Sequence, residues 1–349
     1  MPSLARNATR TAVRLRLHPP RYRGLALGLL ILGLVACLSL TLGSRTISLS
    51  TTWEALHHYD IHNDQHLIIR ELRIPRTLVA ILAGLALGAA GSIMQAVTRN
   101  PLAEPGLLGI NAGAALAVII GVVAFGMNDM LQYLGCAFIG AGLAGTAVFV
   151  LGQAHETGTN PVRLVLAGAG LSVMLASLTG IIILNSPPEV FDSFRKWFAG
   201  SLEGSSFDIV SLTVVAVALG LATALCLAGR LNSLALGQDL GQALGVNVRG
   251  TWLLACAAVM LLAGAATAAA GPIGFIGLAA PHLARMLTGP DYRWITPYSA
   301  LLAAILLLCA DLTGRLIAAP AEVAAGIIAP FIGGPFFVLI VRNFRLNKL

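Results

Sequence analysis

The stretch RIPRTLVAILAGLALGAAGSIMQAV, Arg73 to Val97, decides the fold. From Leu78 to Val97 no residue is charged, and about 20 consecutive apolar residues is the length at which an α-helix crosses the hydrocarbon of a bilayer. Gly84, Gly88 and Gly91 fall on one helical face, where small residues let a neighbouring backbone approach. Pro75 is well placed to begin the helix. Arg73 and Arg76 then sit at the positive end of its macrodipole, which disfavours cations by roughly 0.3–1 kcal/mol. A local conflict of this kind marks function. An acidic partner on that side would explain it, with snorkelling of the two side chains into the interface as the alternative.

The same pattern recurs along the chain. Leu25 to Leu42, Leu107 to Phe125, Leu131 to Leu151, Val162 to Leu184, Ile209 to Leu227 and Trp252 to Ala270 are further apolar runs. Ile273 to Leu287, Ile295 to Cys309 and Ile327 to Val341 are less regular. The first holds Pro281 and His282, the second is short, and the third holds Pro330, Gly333, Gly334 and Pro335, so broken or tilted helices are expected there. Such backbone is tolerated at membrane depth where protein or a watery cavity covers it. Ten spans result, an all-α polytopic membrane bundle forming one domain over residues 25–345 behind a basic segment, residues 1–24. With an even number of spans both termini share a side. Most basic residues then fall on that side, Arg6 to Arg23, Arg99, Arg163, Arg230, Arg249, Arg285 and Arg342 among them, which makes it the cytoplasm. Leu34-Val35-Ala36-Cys37 is similar to a lipoprotein cleavage box, but the apolar run continues past Cys37 and a retained anchor is the better reading.

Composition agrees. Of 349 residues, 57% are hydrophobic and 11% charged, against roughly 25% charged in soluble domains. A β-barrel would alternate apolar and polar residues in segments of about ten, and these runs do not alternate. The formal charge of +7 belongs to span ends and requires no nucleic acid. Cys37, Cys136, Cys226, Cys256 and Cys309 are too scattered for a disulfide framework or a metal knuckle. His58, His62 and His66 would share a face if their segment were helical and could then hold a metal. Asn63 and Asp64 interrupt it, however, and a solvated loop is expected, with no metal site. A phosphate-binding loop needs Gly-x-x-x-x-Gly-Lys-Ser/Thr, and the only lysines, Lys196 and Lys348, follow Arg and Asn. Any ATP-driven work must therefore come from another subunit. An ion-coupled carrier would need a charge inside a span, for which Asp311 and His282 are the candidates, although a boundary residue satisfied by a helix end is the simpler reading of both.

Several ordered motifs carry a resemblance: Arg73-Ile-Pro-Arg76, Met94-Gln-Ala-Val-Thr-Arg-Asn-Pro-Leu-Ala-Glu-Pro-Gly-Leu-Leu-Gly109, Leu231-Asn-Ser-Leu-Ala-Leu-Gly237, Ala243-Leu-Gly-Val246, Gly274-Phe-Ile-Gly-Leu278 with Pro281-His282, and Ala310-Asp-Leu-Thr-Gly-Arg315. From about Ile47 to Val341 the chain resembles the FecCD family, permeases of ABC importers for ferric siderophores, haem and cobalamin. The resemblance implies a type II importer fold in the bacterial inner membrane, with no catalytic residue and no cofactor in this chain. It also implies two permease subunits, identical or paralogous, around a central pathway, an ATPase dimer holding ATP and Mg2+, and a periplasmic binding protein that delivers the cargo. Arg73, Arg76 and Arg315 match positions that pair with glutamates of the binding protein. Leu236, Gly237, Ala243, Leu244, Gly245 and Val246, within loop 230–250, match the coupling helices that sit on the ATPase. Asn100 and Leu102 match a segment that closes the cytoplasmic gate, and Asn160 begins a span that lines the pathway. Thr98 to Leu102 with Gly109 to Ala114 looks more like permeases for ferric enterobactin and similar catecholates than like those for haem or cobalamin. After Glu322 the chain departs from the family, since Val323-Ala-Ala-Gly326 lacks the usual proline.

Overall fold

The structure, a computed structural model, describes residues 21–152 and 161–343. Helix α1 spans Arg21–Thr41, α2 Leu49–His57, α3 Asp64–Thr98, α4 Ile110–Phe125, α5 Met130–Leu151 and α6 Pro161–Leu184. Next come α7 Pro188–Phe198, α8 Phe207–Ala235, α9 Gln238–Ala243, α10 Val248–Ala270, α11 Ile276–Thr288, α12 Tyr292–Ile317 and α13 Ala325–Asn343. No strand occurs among the described residues. Polar side chains start several of these helices by accepting an otherwise orphaned backbone N–H. Ser48 accepts from Thr51, Asn247 from Gly250 and Asp291 from Arg293, at 3.1, 2.9 and 3.0 Å.

The centre of the bundle is α3, which packs against α8, α10, α11 and α12. Its glycine face explains why. A Cβ on Gly84 would overlap the backbone of Ala304, one on Gly88 the Ser299 carbonyl, and one on Gly91 the Gly277 carbonyl. Two helix backbones thus touch α3 directly, the close approach that lipid-embedded bundles use where water supplies no driving force. Polar groups lock the same contacts: Ser92 Oγ lies 3.1 Å from Thr296 Oγ1, and Gln95 Nε2 donates to the Leu278 carbonyl at 3.2 Å. Around this centre, α4, α5 and α6 form a second group, and α1 lies on α12. The faces of α1 and α6 that touch no neighbour expose leucines, isoleucines and valines, as surfaces toward lipid do.

Each of the ten expected spans corresponds to a helix. Among the described residues, seven helices, α1, α3, α5, α6, α8, α10 and α12, are long and apolar enough to cross a membrane, whereas α4 has 16 residues and α11 has 13. At about 1.5 Å per residue α11 covers roughly 20 Å, short of a full crossing. The break expected in this span lies before it, at Gly271 and Phe275, both with positive φ; Pro281 sits inside the helix. Pro281 lacks an N–H, so the Gly277 carbonyl loses its helical donor, and Gly91 packs on that oxygen. Pro330 and Pro335 likewise lie within α13. The short run expected at Ile295 to Cys309 is in fact the 26-residue α12, because its polar ends hide its length from a hydropathy reading. The segment expected to be a solvated loop after the first span is one over residues 58–63, which join α2 to the start of α3. His66 turns inward and accepts from the Asp60 N–H at 3.1 Å, while His58 and His62 stay exposed, so the three do not share a face.

Candidate functional site

At the end of the bundle where α3 begins, three arginines converge. The turn Ile68–Arg73 is π-helical, a one-residue insertion that re-aims the side chains around it. Arg73 donates to the Leu40 carbonyl at 2.7 Å and to the Arg45 carbonyl. From α12, Arg315 donates to the Ser39 carbonyl at 3.0 Å, the Leu42 carbonyl at 3.3 Å and Ser39 Oγ at 2.6 Å. Ser39, Leu40 and Leu42 carry the last carbonyls of α1, which have no helical donor and form the negative end of its dipole. The macrodipole conflict expected from the sequence does not arise, because α3 begins at Asp64, about two and a half turns before Arg73. Arg73 and Arg315 instead serve the negative end of α1.

Arg76 supplies the second half of the cluster. Its Nε and Nη2 donate to Asp311 Oδ1 at 3.0 and 2.8 Å, and its Nη1 to Glu322 Oε2 at 2.6 Å. Arg315 Nε lies 3.1 Å from Asp311 Oδ2, an ion pair without the alignment of a hydrogen bond. Asp311 is fully buried and Arg73 and Arg315 nearly so. This corrects two expectations. Asp311 is no boundary residue satisfied by a helix end, nor a free carboxylate for ion coupling, since two guanidiniums hold it. Arg76 and Arg315 thus have acidic partners within the chain itself, and Arg76 keeps one of its two at the rim, where Glu322 is 26% exposed. A cavity of about 180 Å3 remains beside them, lined by Arg45, Arg73, Arg76, Arg315 and Glu322 among others.

The opposite end carries the loop between α8 and α10. Gly237 and Gly245, with φ of +120° and +80°, bracket α9, a backbone conformation that glycine adopts without strain. Leu236, Leu240 and Leu244 are 63%, 57% and 64% exposed; Leu240 and Leu244, joined by the Leu244 N–H to the Leu240 carbonyl at 3.0 Å, lie one turn apart on α9 and its C-cap, whereas Leu236 precedes the turn at Gly237. Ala243 and Gly245 are exposed, and Val246 is half-buried with its N–H donating to the Gly241 carbonyl at 3.0 Å. Asn100 and Leu102 are also exposed. Asn100 Oδ1 accepts from the Leu102 N–H at 2.9 Å, closing a tight turn after Arg99, whose positive φ ends α3. A Cβ on Gly237 would come within 3.8 Å of Arg99, so this turn adjoins the leucine loop. Asn160 lies outside the described residues.

Sequence reasoning missed the clamp beneath that loop. Asn232 Nδ2 donates to Asp291 Oδ1 and Asn232 Oδ1 accepts from the Tyr292 N–H, both at 2.7 Å, so the end of α8 is pinned to the start of α12. Arg21 lies 3.7 Å from Asp291. Burial works against the Asp291 charge, but the hydrogen bonds from Asn232 and the Arg293 N–H, with Arg21 and Arg293 nearby, outweigh it and hold the carboxyl below its ordinary range. A depressed carboxyl pKa contributes stability above the unfolded value, about 3.9 for Asp, and loses it as pH falls through the folded value. Asp291→Asn is therefore expected to lower the thermal midpoint at pH 7, with the gap from wild type closing as pH drops below about 4. A gap that stays constant with pH would show that the Asp291 charge is not what holds the clamp.

Comparison with known proteins places this arrangement. Residues 29–343 match the FecCD transport family. The chain is 44% identical over 318 residues to the ferric enterobactin transport system permease protein FepD of Escherichia coli (strain K12), covering 90% of this chain and 94% of that protein. It is 40% identical to the iron(3+)-hydroxamate import system permease protein FhuB of Bacillus subtilis (strain 168), covering 91% and 82%. It is 38% identical to the hemin transport system permease protein HmuU of Yersinia pestis, covering 92% and 95%. Among solved structures, a metal-chelate type ABC transporter in an inward-facing conformation superimposes with a TM-score of 0.81 at 27% identity, over 93% of this chain and all of the other.

Proposed function

From the premise that the chain belongs to the FecCD transport family, as a multi-pass membrane permease subunit of an ABC importer, we propose that it carries a ferric siderophore across the bacterial inner membrane, with both termini cytoplasmic. ABC ATPase subunits drive it, a second permease, copy or paralogue, completes the pathway, and a periplasmic binding protein delivers the cargo. The observation that carries this reading is the exposure of three leucines, Leu236, Leu240 and Leu244, within one short loop at the end of a protein whose sequence holds no Gly-x-x-x-x-Gly-Lys-Ser/Thr phosphate-binding loop. A contiguous exposed apolar feature of this kind serves a partner, and an ATPase dimer with bound ATP and Mg2+ is the partner that supplies energy.

The geometry supports transmission from one end to the other. Loop 230–250 rests on the Asn232–Asp291 clamp, and α12 runs from Asp291 to Asp311 and Arg315 at the arginine end. Its 26 residues make a rod of about 39 Å. Movement of the leucine loop thus displaces α12 as a body, the kind of rigid shift by which packed bundles switch. Asn100 and Leu102, next to the loop, close the cytoplasmic side in the resting state. Arg73, Arg76 and Arg315 mark the periplasmic end where the binding protein docks. A catecholate such as enterobactin is the favoured cargo.

The test is reconstitution in liposomes. Uptake of ferric enterobactin is expected only with the ATPase and binding protein present, with hemin or cobalamin competing weakly. The pair Leu240→Asp and Leu244→Asp is expected to reduce ATPase co-purification by about tenfold or more, the scale of a central interface contact, and to leave the thermal midpoint unchanged because both side chains are exposed. Uptake by the chain alone, or undiminished co-purification of the double variant, would overturn the proposal.

A further inference from the structure

We propose that Glu322 is a resident stand-in for a partner's carboxylate, and that docking at the arginine end proceeds by exchange, the incoming carboxylate taking Arg76 Nη1 from Glu322. The inference rests on the docking reading above and adds to it what the site does when no partner is bound.

Arg76 divides its donors between two carboxylates of unlike standing. The Nε and Nη2 edge is held by Asp311, whose side chain has no exposed surface, and Nη1 is held by Glu322, 26% exposed. Breaking the first pair strands charge in the interior. The second lies at the rim, where ion pairs contribute little and exchange readily with water or another anion. Arg73 donates to the Leu40 and Arg45 carbonyls, and Arg315 to the Ser39 and Leu42 carbonyls and Ser39 Oγ with the buried Asp311 as its carboxylate, which leaves Arg76 Nη1 as the position where an accessible carboxylate is already accepted and can be replaced. The cavity beside it is also lined by Arg45, so four arginines and two carboxylates meet at this end, an excess of positive charge that calls for another anion. Glu322 itself sits in the non-helical connection 318–324 between α12 and α13. That connection is tied by the Val323 N–H to the Gly314 carbonyl at 3.1 Å and, just beyond it, by the Gly326 N–H to the Gly200 carbonyl at 2.9 Å. Removing Glu322 from Arg76 deletes its tie to α3 while Asp311 keeps Arg76 in place. Docking would then loosen the start of α13 without disturbing the bundle.

The experiment uses the full chain in lipid nanodiscs and fluorescein-labelled hexaglutamate as the probe. If Glu322 occupies Arg76 about nine-tenths of the time, Glu322→Gln raises the apparent affinity about tenfold, since a site is available only in the fraction of molecules competent to bind. Arg45→Gln, made in both backgrounds, separates the two ideas. Weakening by Arg45→Gln with no tightening by Glu322→Gln keeps docking at this end and sinks the exchange. Binding indifferent to both changes, or absent from the Glu322→Gln protein, sinks the docking reading as well. In the wild-type chain, hydrogen exchange of the amides in 318–326 is expected to rise several-fold on adding hexaglutamate, a readout that needs no substitution. Unchanged exchange at saturating probe overturns the proposal.

Discussion

Asp311→Asn is expected to abolish most of the folded protein. The carboxylate has no exposed surface, accepts from Arg76 at 2.8 and 3.0 Å, and lies 3.1 Å from Arg315 Nε, itself in a side chain only 3% exposed. An amide of the same shape removes the charge and leaves two guanidiniums facing each other across a site with little water. Removing one partner of a buried ion pair costs about 3–5 kcal/mol, which is more than a hundredfold in the ratio of folded to unfolded chain. The pair itself contributes far less than its breakage costs, because desolvation offsets most of the attraction. It follows that Asp311→Asn combined with Arg76→Gln, which deletes one charge of each sign, recovers part of the loss. The measurement is the yield of monodisperse detergent-solubilised protein and its thermal midpoint. A wild-type midpoint for Asp311→Asn would sink the account. An ion-coupled carrier built on Asp311 makes the opposite forecast: a folded variant whose uptake no longer depends on the proton gradient.

Why this cluster was only half visible in the sequence is a matter of range. Arg73 and Arg76 announce themselves locally, since a helix begun at Pro75 would set them against its dipole. Their acids are 235 and 246 positions away from Arg76, and nothing local points from one to the other. A partial signal existed: Asp311 and Arg315 stand four apart, the spacing of a helical ion pair, just beyond a run expected to end at Cys309. Apolar length was legible throughout because lipid imposes it, and each run became a helix. Polar elements at the membrane ends were not. The amphipathic α7, with Phe194 and Trp197 buried beneath exposed Asp192, Arg195 and Lys196, has no apolar run to betray it. The exposed leucines were within reach, since Leu236, Leu240 and Leu244 punctuate a stretch rich in polar and small residues. Asn232 stands in the Leu231–Gly237 motif, but its partner is set by tertiary packing alone.

The second large effect is expected at Gly91, where two backbones meet. A side chain there must displace the Gly277 carbonyl, not the tip of a flexible neighbour. Neither helix can retreat. Gly277 is pressed in turn by Pro105, which lies outside α3, and Gln95, one turn along α3, is tied to the Leu278 carbonyl at 3.2 Å and to Arg285 at 3.3 Å. Overpacking a core usually costs about 1–3 kcal/mol, and that range assumes side chains that can change rotamer. Gly91→Leu belongs at or above its upper end, because relief requires α3 and α11 to separate, which also exposes the Gly277 oxygen that Pro281 leaves without a donor. Gly33 provides the control, since it has open space where a Cβ would stand, on a face of α1 turned to lipid. Gly33→Leu should leave the thermal midpoint unchanged or raise it slightly, as glycine disfavours a helix interior by roughly 0.5–1 kcal/mol relative to alanine. Equal midpoints for the two leucine variants would mean that the contact between α3 and α11 is slack, and that a half-length helix holds its place in the bundle by something other than the glycine seam.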